Sequence, residues 1–345
     1  MIKSRSIFGK KYLDLDIREL ELEPGPSDVI VKVLACGVCG TDLNFIRDYS
    51  ENYMPLGHEI AGEVVECGPL VTNVKPGDTV TVEDCSMCGN CPDCKNGHPE
   101  FCRQMYTLDG RPGMGEYVMV NCGNLNVYTG LSPVHACLTE PLAVALAAVN
   151  KADIPVNGSV MIFGAGPIGL LTAALARQKG AGWVGISGRS ANSPMNAARL
   201  KLAETLGCDM IVTTQTQDLV EEVRKVHPKG VDRVIVTSPP QSVPPAFDII
   251  RFGGSISLLG LSFKGDHCIP FDINAAIFNK TSIHTVFAEP AIGFSTATEL
   301  IKRGIIDASL FQTHTFNFNN ASIVLEQNLS GTCPIIKSVF TPFSS

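Results

Sequence analysis

The sequence predicts a chain of two parts, an all-β part of the barrel or sandwich type followed by a parallel, doubly wound α/β sheet. Three observations lead to this prediction. The chain has 345 residues, which is more than one hydrophobic core usually serves. Residues 1–130 are short β-type runs between Gly and Pro turns. From about residue 139 onward, strand and helix patterns alternate at a regular period.

The predicted elements follow from local patterns. In the first part, apolar runs that end at turn residues predict strands at Asp28–Leu34, Glu59–Glu66, Gly77–Val82 and Gly115–Val120. In the second part, strands are predicted at Val160–Phe163, Trp183–Ser187, Met210–Thr213, Arg233–Thr237 and Ser255–Leu261. Helices are predicted at Glu140–Asn150, Leu170–Lys179, Asn196–Leu206, Thr216–Val226 and Ala246–Arg251. The final stretch predicts a helix at Gly293–Arg303 and a strand at Ile335–Phe340.

Composition excludes several classes of function. Hydrophobic residues make up 45% of the chain and charged residues 18%, which is typical of a well-buried globular protein. The net charge is −7 and no basic run is present, so we expect no nucleic-acid partner. The start has no apolar signal region, and apolar stretches stop well short of the roughly 18 residues of a membrane span. We therefore expect a cytoplasmic protein that acts on a small molecule and has no membrane partner.

A dinucleotide site is predicted at the glycine-rich turn Gly164-Ala165-Gly166-Pro167-Ile168-Gly169, which matches G-x-G-x-x-G. The match is informative because it follows an apolar strand and opens a helix. The first glycine makes the tight turn, the second admits the pyrophosphate, and the third lets the helix pack on the strand. The free N–H groups of the helix N-terminus then hold the phosphates.

The end of the next strand favours NADP(H) over NAD(H). The sequence there is Ser187-Gly188-Arg189-Ser190, so Gly188 stands where an NAD-binding protein usually carries Asp or Glu. Without that carboxylate a 2′-phosphate meets no repulsion. The guanidinium of Arg189 and the hydroxyls of Ser187 and Ser190 are suited to bind phosphate oxygens.

A cysteine cluster predicts a metal site. Of the 13 cysteines in the chain, five fall within 18 residues. Four suffice for a closed tetrahedral site, which leaves no position for a substrate. An iron–sulfur cluster also uses four cysteines, so spacing alone leaves the metal and the spare cysteine open. The five are Cys85, Cys88, Cys91, Cys94 and Cys102.

A second, dispersed set of metal-ligand residues follows predicted strand ends and the first helix of the alternating region. It consists of Cys36 and Cys39 in C-G-V-C-G-T-D, His58 and Glu59 in G-H-E, and Glu140 in E-P-L. A catalytic zinc needs about three such ligands and one open position for a substrate oxygen. Each motif alone is weak evidence, and their combination with a dinucleotide turn is what points to zinc chemistry.

Taken in order, these motifs resemble those of the zinc-dependent medium-chain dehydrogenase/reductase superfamily, within it the sorbitol (polyol) dehydrogenase-like and threonine dehydrogenase-like branch. The resemblance covers nearly the whole chain. It implies that Cys39 rather than Cys36 is the thiolate ligand of a catalytic zinc, with His58 and Glu140 as further ligands. It implies that Glu59 is an adjacent acid able to approach the metal.

The resemblance also implies a structural zinc, rather than an iron–sulfur cluster, on Cys88, Cys91, Cys94 and Cys102, with Cys85 spare. The implied fold is a GroES-like β-barrel catalytic domain (1–148 and 290–345, with the zinc lobe at about 84–103) and an inserted Rossmann domain (149–289). The cleft between the domains would hold zinc and nicotinamide together.

Further roles are carried by the resemblance alone. Thr41 would take the first substrate proton, and Arg199 would hold cofactor phosphate or ribose. The backbone near Leu259-Gly260 and the residue Phe287 would flank the nicotinamide. The family also implies a homodimer or homotetramer.

The chain departs from the family pattern at three places. Asn44 stands where many members have a proton-relay His. Ala288-Glu289-Pro290 follow Phe287 where polyol dehydrogenases often carry a substrate-binding Arg. About six residues are inserted between Gly188 and Arg199. These departures leave the zinc and hydride chemistry in place and leave the substrate open.

The function predicted is a zinc-dependent NADP(H) oxidoreductase that interconverts a secondary alcohol of a polyol or sugar derivative and the ketone. Alternatives within the class are a threonine-like amino alcohol, an aldose or a polyol phosphate as substrate. A non-catalytic NADPH-binding protein on the same fold is the alternative from another class, and the retention of Cys39, His58 and Glu140 argues against it.

Overall fold

The structure, a computed structural model, describes residues 1–108, 110–263, 265–287 and 293–343. The chain divides into two compact units. The first unit comprises Met1–Ala143, Ala288–Ser330 and Lys337–Ser345, and the second comprises Val144–Phe287 and Gly331–Ile336. The division after residue 143 comes earlier than the predicted boundary at 148, and residues 331–336 join the second unit rather than the first.

Strands dominate the first 130 residues and recur with helices afterwards. They are β1 (Ile2–Lys10), β2 (Asp14–Leu22), β3 (Asp28–Gly37), β4 (Met54–Pro55), β5 (Glu59–Cys67), β6 (Thr79–Val82), β7 (Cys85–Ser86), β8 (Tyr106–Thr107), β9 (Tyr117–Asn121), β10 (Leu125–Val127), β11 (Ser159–Phe163), β12 (Trp183–Gly188), β13 (Met210–Thr213), β14 (Val231–Val236), β15 (Ile250–Leu258), β16 (Ser282–Thr285), β17 (Gln312–Phe316) and β18 (Lys337–Phe340).

The α-helices are α1 (Gly40–Asn44), α2 (Pro92–Lys95), α3 (Pro133–Ala136), α4 (Thr139–Ala152), α5 (Pro167–Gln178), α6 (Pro194–Thr205), α7 (Leu219–Val226), α8 (Pro244–Ile249), α9 (Ile273–Phe278), α10 (Phe294–Lys302) and α11 (Ala321–Ser330). A π-helical turn (Phe45–Tyr49) continues α1. No helix in the described part of the chain is both long and apolar enough to cross a membrane.

The first unit is built on an antiparallel sheet in the order β10-β6-β5-β3-β18-β17, with β9 also paired to β3 and only β17 and β18 parallel. A smaller sheet has the order β2-β1-β4. The core of the first unit is formed by alternate residues of the strands of the larger sheet. Examples that are fully buried are Val29, Val31, Val80 and Phe340. The C-terminal strand β18 therefore lies beside β3, the strand that leads into the Cys39 segment.

The second unit is a six-stranded parallel sheet in the order β13-β12-β11-β14-β15-β16. This order reverses direction between β11 and β14, and doubly wound sheets bind ligands beyond the carboxyl ends of the strands at such a switch point. All five residues of β11 are buried, as expected for a central parallel strand. The fold class predicted from the sequence is the one observed.

Several predicted bounds shift for local chemical reasons. The helix predicted from Leu170 begins at Pro167, because proline is favoured at the first helical position. The helix predicted from Thr216 begins after Asp218, whose carboxylate accepts the backbone N–H of Glu221 and so caps the helix. The helix predicted to Arg251 ends at Ile249, and β15 begins at Ile250.

Candidate metal centres and dinucleotide pocket

The four cysteines Cys88, Cys91, Cys94 and Cys102 converge in the first unit, with their sulfur atoms all within 4.8 Å of one another. The Cys91 Sγ lies 3.4 Å from the Cys94 Sγ and 3.9 Å from the Cys102 Sγ. A tetrahedral zinc with Zn–S bonds of about 2.3 Å places its sulfurs about 3.8 Å apart. The group therefore fits a zinc ion in size, and Cys85 is not part of it.

Backbone N–H groups around these sulfurs favour the thiolate form. Asn90 and Cys91 donate to the Cys88 Sγ at 3.4 and 3.3 Å, and Cys88 donates to the Cys102 Sγ at 3.4 Å. The hydrogen bonds from Asn90 and then Cys91 lower the pKa of Cys88 to about 6, whereas desolvation and then the Cys91 thiol raise the pKa of Cys94 to about 12. Because thiolates are the zinc-binding form, the backbone favours metal binding electrostatically at Cys88, and the spacing of the four sulfurs favours it geometrically.

The Cys39 segment is organised by Asp42. Cys39 is the N-cap of α1, and the buried Asp42 carboxylate accepts the Cys39 backbone N–H at 2.9 Å. Its other oxygen accepts the Gly57 N–H at 2.8 Å, just before His58. One carboxylate therefore ties together the two backbone segments that carry Cys39 and His58. The sequence analysis placed Asp42 within a motif but did not reveal this role. The signal that could have revealed it is the three-residue spacing from Cys39 to Asp42, which is typical of a helix capping box.

The second candidate metal centre consists of Cys39, His58 and Glu59, whose ligand atoms lie within 4.8 Å of one another. Burial opposes a charged His58 imidazole, yet the Cys39 sulfur and the Asp42 and Glu140 carboxylates raise the pKa of His58 well above its usual value. The site is thus rich in acidic groups. The buried Glu59 Oε2 accepts no hydrogen bond, although the Lys337 Nζ lies 2.6 Å from it as an ion-pair partner. A thiol, an imidazole and a carboxylate among such groups suit a zinc ion.

Glu140 lies at the second position of α4 and does not belong to the group within 4.8 Å. Desolvation, together with the charges of Glu59 and Asp84, raises the pKa of Glu140 to about 8 against the lowering effect of His58 and Lys337. The family resemblance implies Glu140 as the third ligand. In the structure it is Glu59 that belongs to the group with Cys39 and His58.

The glycine-rich turn of the second unit has the geometry that its sequence predicts. Gly164 has a φ of +107°, which favours glycine. Gly166 is the N-cap of α5, and a Cβ there would face open space. A Cβ on Gly169 would lie 1.8 Å from the Gly164 carbonyl oxygen. The three glycines therefore make the turn, leave room for a ligand and allow close packing, in that order.

A cavity of about 360 Å³ opens at this turn. Seven of the predicted cofactor residues line it: Gly164, Gly166, Ser187, Gly188, Arg189, Ser190 and Arg199. Ala165 of the predicted turn also lines it, and the lining residues that the sequence analysis did not propose are Asn196, Leu200, Thr214, Ser238, Pro239 and Ser242. The inserted residues after Gly188 form a bend that ends at Ser193, the N-cap of α6, and they place Arg189, Ser190 and Asn196 on the cavity wall.

The guanidinium of Arg199 is the strongest sign that this cavity binds an anion. Desolvation lowers the pKa of Arg199 to about 10, and its buried Nε has no hydrogen-bond partner. Its Nη2 has only a long contact of 3.5 Å to the Ile336 carbonyl oxygen. A partly buried cation whose buried donor is unsatisfied is costly unless a ligand pairs with it. The phosphates of a dinucleotide are suitable partners.

Comparison with known proteins agrees with both sites. Residues 25–127 match the alcohol dehydrogenase GroES-like domain, and residues 167–303 match the zinc-binding dehydrogenase family. An L-threonine 3-dehydrogenase from Pyrococcus furiosus is 32% identical over 92% of this chain and 90% of its own length. The chain belongs to the zinc-dependent medium-chain dehydrogenase superfamily.

Two further relatives extend the comparison. A sorbitol dehydrogenase from Bacillus subtilis is 28% identical to this dehydrogenase, over 94% of this chain and 95% of its own. A structure from Sinorhizobium meliloti, described as a zinc-binding dehydrogenase bound to NADP, is 29% identical. It has a TM-score of 0.85 and covers 99% of this chain and all of its own. The protein is therefore a zinc-dependent alcohol or polyol dehydrogenase with a GroES-like unit and a Rossmann unit.

The remaining predicted residues of the dehydrogenase lie near these sites without contributing ligand atoms. Thr41 is the second residue of α1, two positions after Cys39, and is partly buried. Cys36 is fully buried, and desolvation raises the pKa of its thiol well above the usual value. This favours Cys39 as the metal ligand.

On the cofactor side, Pro167 and Ile168 open α5 behind the glycine turn. Leu259 follows β15 and donates its N–H to the Val236 carbonyl oxygen, whereas the Phe287 side chain is exposed. Neither Leu259 nor Phe287 lines the cavity. The departure at Ala288-Glu289-Pro290 lies outside the described residues.

Proposed function

We propose that this dehydrogenase interconverts a secondary alcohol of a polyol or sugar derivative and the corresponding ketone, with NADP(H) preferred over NAD(H). The observation that carries the cofactor preference is the cavity wall at the end of β12. Gly188 replaces the usual acid there, and a Cβ at this position would meet the Leu200 side chain at 2.9 Å. The wall thus offers no carboxylate to a ribose 2′-OH.

Cationic and hydroxyl groups stand in place of that carboxylate. Arg189 is exposed at the cavity and has no acidic partner within the described residues. Ser187 and Ser190 are buried and line the same wall. The backbone N–H groups of Thr214 and Gln215 donate to the Gly188 and Arg189 carbonyl oxygens at 2.9 Å and hold this turn in place. A fork-shaped guanidinium beside hydroxyl donors is suited to a 2′-phosphate.

The proposed mechanism assigns a task to each residue at the metal centre. Cys39 and His58 would hold a zinc ion, and either Glu59 or Glu140 would complete its protein ligands. A zinc ion held there would supply Lewis acidity that lowers the pKa of a substrate hydroxyl, and a bound nicotinamide would supply the hydride acceptor. Thr41 would accept the substrate proton at its hydroxyl oxygen while it releases its own hydroxyl proton. Since the Asn44 amide does not titrate, that proton would pass to water or to Glu59.

A threonine-like amino alcohol is the second candidate substrate. The Pyrococcus furiosus relative, a threonine dehydrogenase, favours it, whereas the Bacillus subtilis relative favours a polyol. Aldoses and polyol phosphates belong in the same comparison. A panel of these alcohols, with the kcat/KM of each measured under the same conditions, separates the candidates.

Metal content and cofactor kinetics test the proposal. We expect about two zinc ions per wild-type chain and about one in Cys39→Ser, with activity lost in that variant. Cys85→Ser is the matched control, because Cys85 lies outside both ligand groups, and it should keep both ions.

Cofactor kinetics test the preference for NADPH. Wild type should prefer NADPH. Arg189→Ala should lower kcat/KM for NADPH by about tenfold or more, because a charge-assisted contact is lost, and should have little effect on kcat/KM for NADH. A wild type with one zinc that survives Cys39→Ser contradicts the metal assignment, and a preference for NADH contradicts the cofactor assignment.

We also propose that the enzyme is a homodimer formed through β16. This strand is the edge of the parallel sheet, and the exposed apolar side chains near it are Phe252, Ile273, Ile277, Phe278 and Ile283. Each of the five is between 41% and 78% exposed, and large apolar side chains left exposed together are typical of an interaction surface. The strand β16 itself contains no Asp, Glu, Lys or Arg to keep a second strand away, and the charge of Lys280 lies before the strand, over the Phe252 ring. Two copies of one edge can pair antiparallel about a twofold axis.

A cytoplasmic location completes the proposal. Five of the proposed zinc ligands are cysteines, and all 13 cysteines are free thiols in the structure. Thiols bind zinc only while they are reduced, and the cytosol keeps them so. Fractionation of the native host cells, with the enzyme activity followed through each fraction, tests this location.

A further inference from the structure

A buried ion pair lies directly behind the second metal centre. Lys337, on β18, has its Nζ 2.6 Å from each oxygen of the Glu59 carboxylate, and its geometry forms a hydrogen bond to Oε1. Both side chains are almost wholly inaccessible, at 2% and 1% exposed. A buried charge pair is held together strongly once formed, because removal of one partner leaves the other uncompensated.

Lys337 also contacts the other ligand segment. Its Nζ donates to the Val38 carbonyl oxygen at 3.1 Å, immediately before Cys39. A single ammonium group therefore joins the carboxylate that follows His58 to the backbone that precedes Cys39. Asp42 also joins the two segments, through the Cys39 and Gly57 N–H groups. The two ligand segments are thus tied by a cation at one point and by an anion at another.

The neighbouring backbone is shaped around this pair. A Cβ on Gly37 would lie 2.0 Å from the Glu59 Oε2 and 3.0 Å from the Lys337 Cε. Glycine at this position therefore makes room for the ion pair. Gln312, opposite Lys337 on β17, donates to the Cys137 Sγ and provides no charge. Glu59 is therefore the anionic group to which Lys337 donates a hydrogen bond.

The consequence for the metal concerns the orientation of the Glu59 carboxylate. Lys337 donates a hydrogen bond to Oε1 and is in ion-pair contact with Oε2, so that one ammonium group restrains both oxygens. The Glu59 carboxylate belongs to the group with ligand atoms within 4.8 Å of Cys39 and His58. An outer hydrogen bond of this kind orients a metal-binding carboxylate and sets its affinity for the ion.

We propose that Lys337 is a positioning residue for the catalytic metal, holding the Glu59 carboxylate and the Cys39 segment in the arrangement that lets Glu59 reach the ion. The inference rests on the proposed zinc at Cys39 and His58. Lys337 itself touches neither substrate nor cofactor in this assignment. Its effect is on the retention and coordination of the metal rather than on the structural zinc of the four-cysteine lobe.

The test measures zinc release from the purified holoenzyme into a chromophoric chelator for wild type, Lys337→Met and Lys337→Arg. Lys337→Met should release one of its two zinc ions about 10–100 times faster than wild type, the usual cost of removing an outer partner of a ligand. The second, four-cysteine ion is an internal reference and should be released at an unchanged rate. Lys337→Arg should restore most of the retention. Lys225→Met, which removes an exposed lysine with two glutamate partners, is the matched control and should behave as wild type.

Cobalt substitution adds a spectroscopic measurement. The visible bands of Co²⁺ at the Cys39 site should shift in Lys337→Met, because the ligand field changes when Glu59 loses its orientation. A folded Lys337→Met protein with wild-type release rates and wild-type cobalt bands overturns the inference. A wild type that holds only the structural zinc contradicts the proposed function as well, so the two failures are distinguishable.

The double variant Glu59→Gln/Lys337→Met covers the case in which Lys337→Met does not fold, since it leaves no unpaired buried charge. If Lys337 acts through Glu59, the double variant should release zinc at the rate of Glu59→Gln alone. An additional tenfold acceleration over Glu59→Gln would show that Lys337 acts independently of Glu59 and would overturn the inference.

Discussion

Asp42 shows how one residue can set the geometry of a dispersed metal site. Its two carboxylate oxygens each accept a backbone N–H, from Cys39 at 2.9 Å and from Gly57 at 2.8 Å. A charged acceptor strengthens both bonds relative to neutral ones. Because the two bonded residues are, or directly precede, proposed ligands, Asp42 fixes the spacing of the Cys39 sulfur and the His58 ring.

We therefore expect Asp42→Asn to weaken the catalytic zinc site. An amide offers one acceptor oxygen and one donor group, so one of the two N–H groups loses its partner. Zinc affinity at this site should fall about 10–100-fold, with the four-cysteine site unchanged. Titration of the apoenzyme with zinc in the presence of a competing chelator measures both sites.

Asp78→Asn is a suitable comparison for Asp42→Asn. Asp78 also accepts a backbone N–H, that of Lys75 at 2.9 Å, but in a turn that carries no proposed ligand. It should leave both zinc affinities at the wild-type value. Equal zinc affinity in Asp42→Asn and wild type would mean that Asp42 does not position the ligands.

Residues that act within a short segment could be predicted from the sequence, and residues that act across the chain could not. Five cysteines within 18 residues predict one metal site, from which the family resemblance selects four, and the glycine turn is confirmed by its own strand and helix. Lys337 lies 278 residues from Glu59, and no local pattern marks a lysine in a C-terminal strand as part of a metal site. Asn196, Thr214 and Ser242 reach the cavity only because the sheet brings separate loops to one edge.

At the scale of elements, the register of β11 with its neighbours places the glycine turn and the end of β12 side by side. β11 pairs with β12 and β14 in parallel, so their carboxyl ends meet at the same edge. Asp232 in β14 helps to hold this register. Its Oδ2 accepts the N–H and the hydroxyl of Ser159 at 2.8 Å, and its Oδ1 accepts the Arg251 Nε at 2.5 Å.

The pH dependence of stability should reveal this contact. Burial acts to raise the pKa of Asp232, but the Ser159 hydrogen bonds and then Arg251 outweigh it, so the pKa lies below its usual value. A depressed carboxyl pKa stabilises the fold above the unfolded pKa of about 3.9, and this contribution is lost as the pH falls through the folded pKa. Asp232→Asn should therefore lower the free energy of unfolding by about 1–2 kcal/mol at pH 7. The difference from wild type should shrink as the pH drops below about 4.

Trp183 provides a local probe for this measurement. It is the only tryptophan of the chain and lies opposite Ser159 in the β11–β12 pair. Urea unfolding followed by its fluorescence at pH 7 and below pH 4 gives both differences. Glu204→Gln, which breaks an exposed pair with Lys201, should change stability by less than about 0.5 kcal/mol at either pH. A deficit in Asp232→Asn that is the same at both pH values would contradict the assigned role.

At the scale of the whole molecule, the fold class and the place of the dinucleotide site could be predicted from the order of motifs along the chain. Strand–helix alternation predicts a parallel sheet, and the observed order places the glycine turn on β11, beside the point where the sheet reverses direction. The pattern could not show that β18 returns to pair with β3. It also missed β16 and α9, because residues 273–287 carry few turn signals and mix apolar with small polar residues. These missed elements form the proposed dimer surface.

The dimer proposal gives the last prediction. Ile283 is exposed on β16, and a charge at an edge strand opposes pairing with another strand. Ile283→Lys should therefore convert a dimer of the 36.9 kDa chain into a monomer, as measured by light scattering after gel filtration. Val156→Glu places a charge on an even more exposed apolar residue, in the turn before β11, and should leave the dimer intact. A tetrameric wild type that Ile283→Lys splits into dimers would add a second interface while supporting this one. A monomeric wild type, or a dimer that Ile283→Lys leaves unchanged, would show that the β16 edge does not hold two copies together.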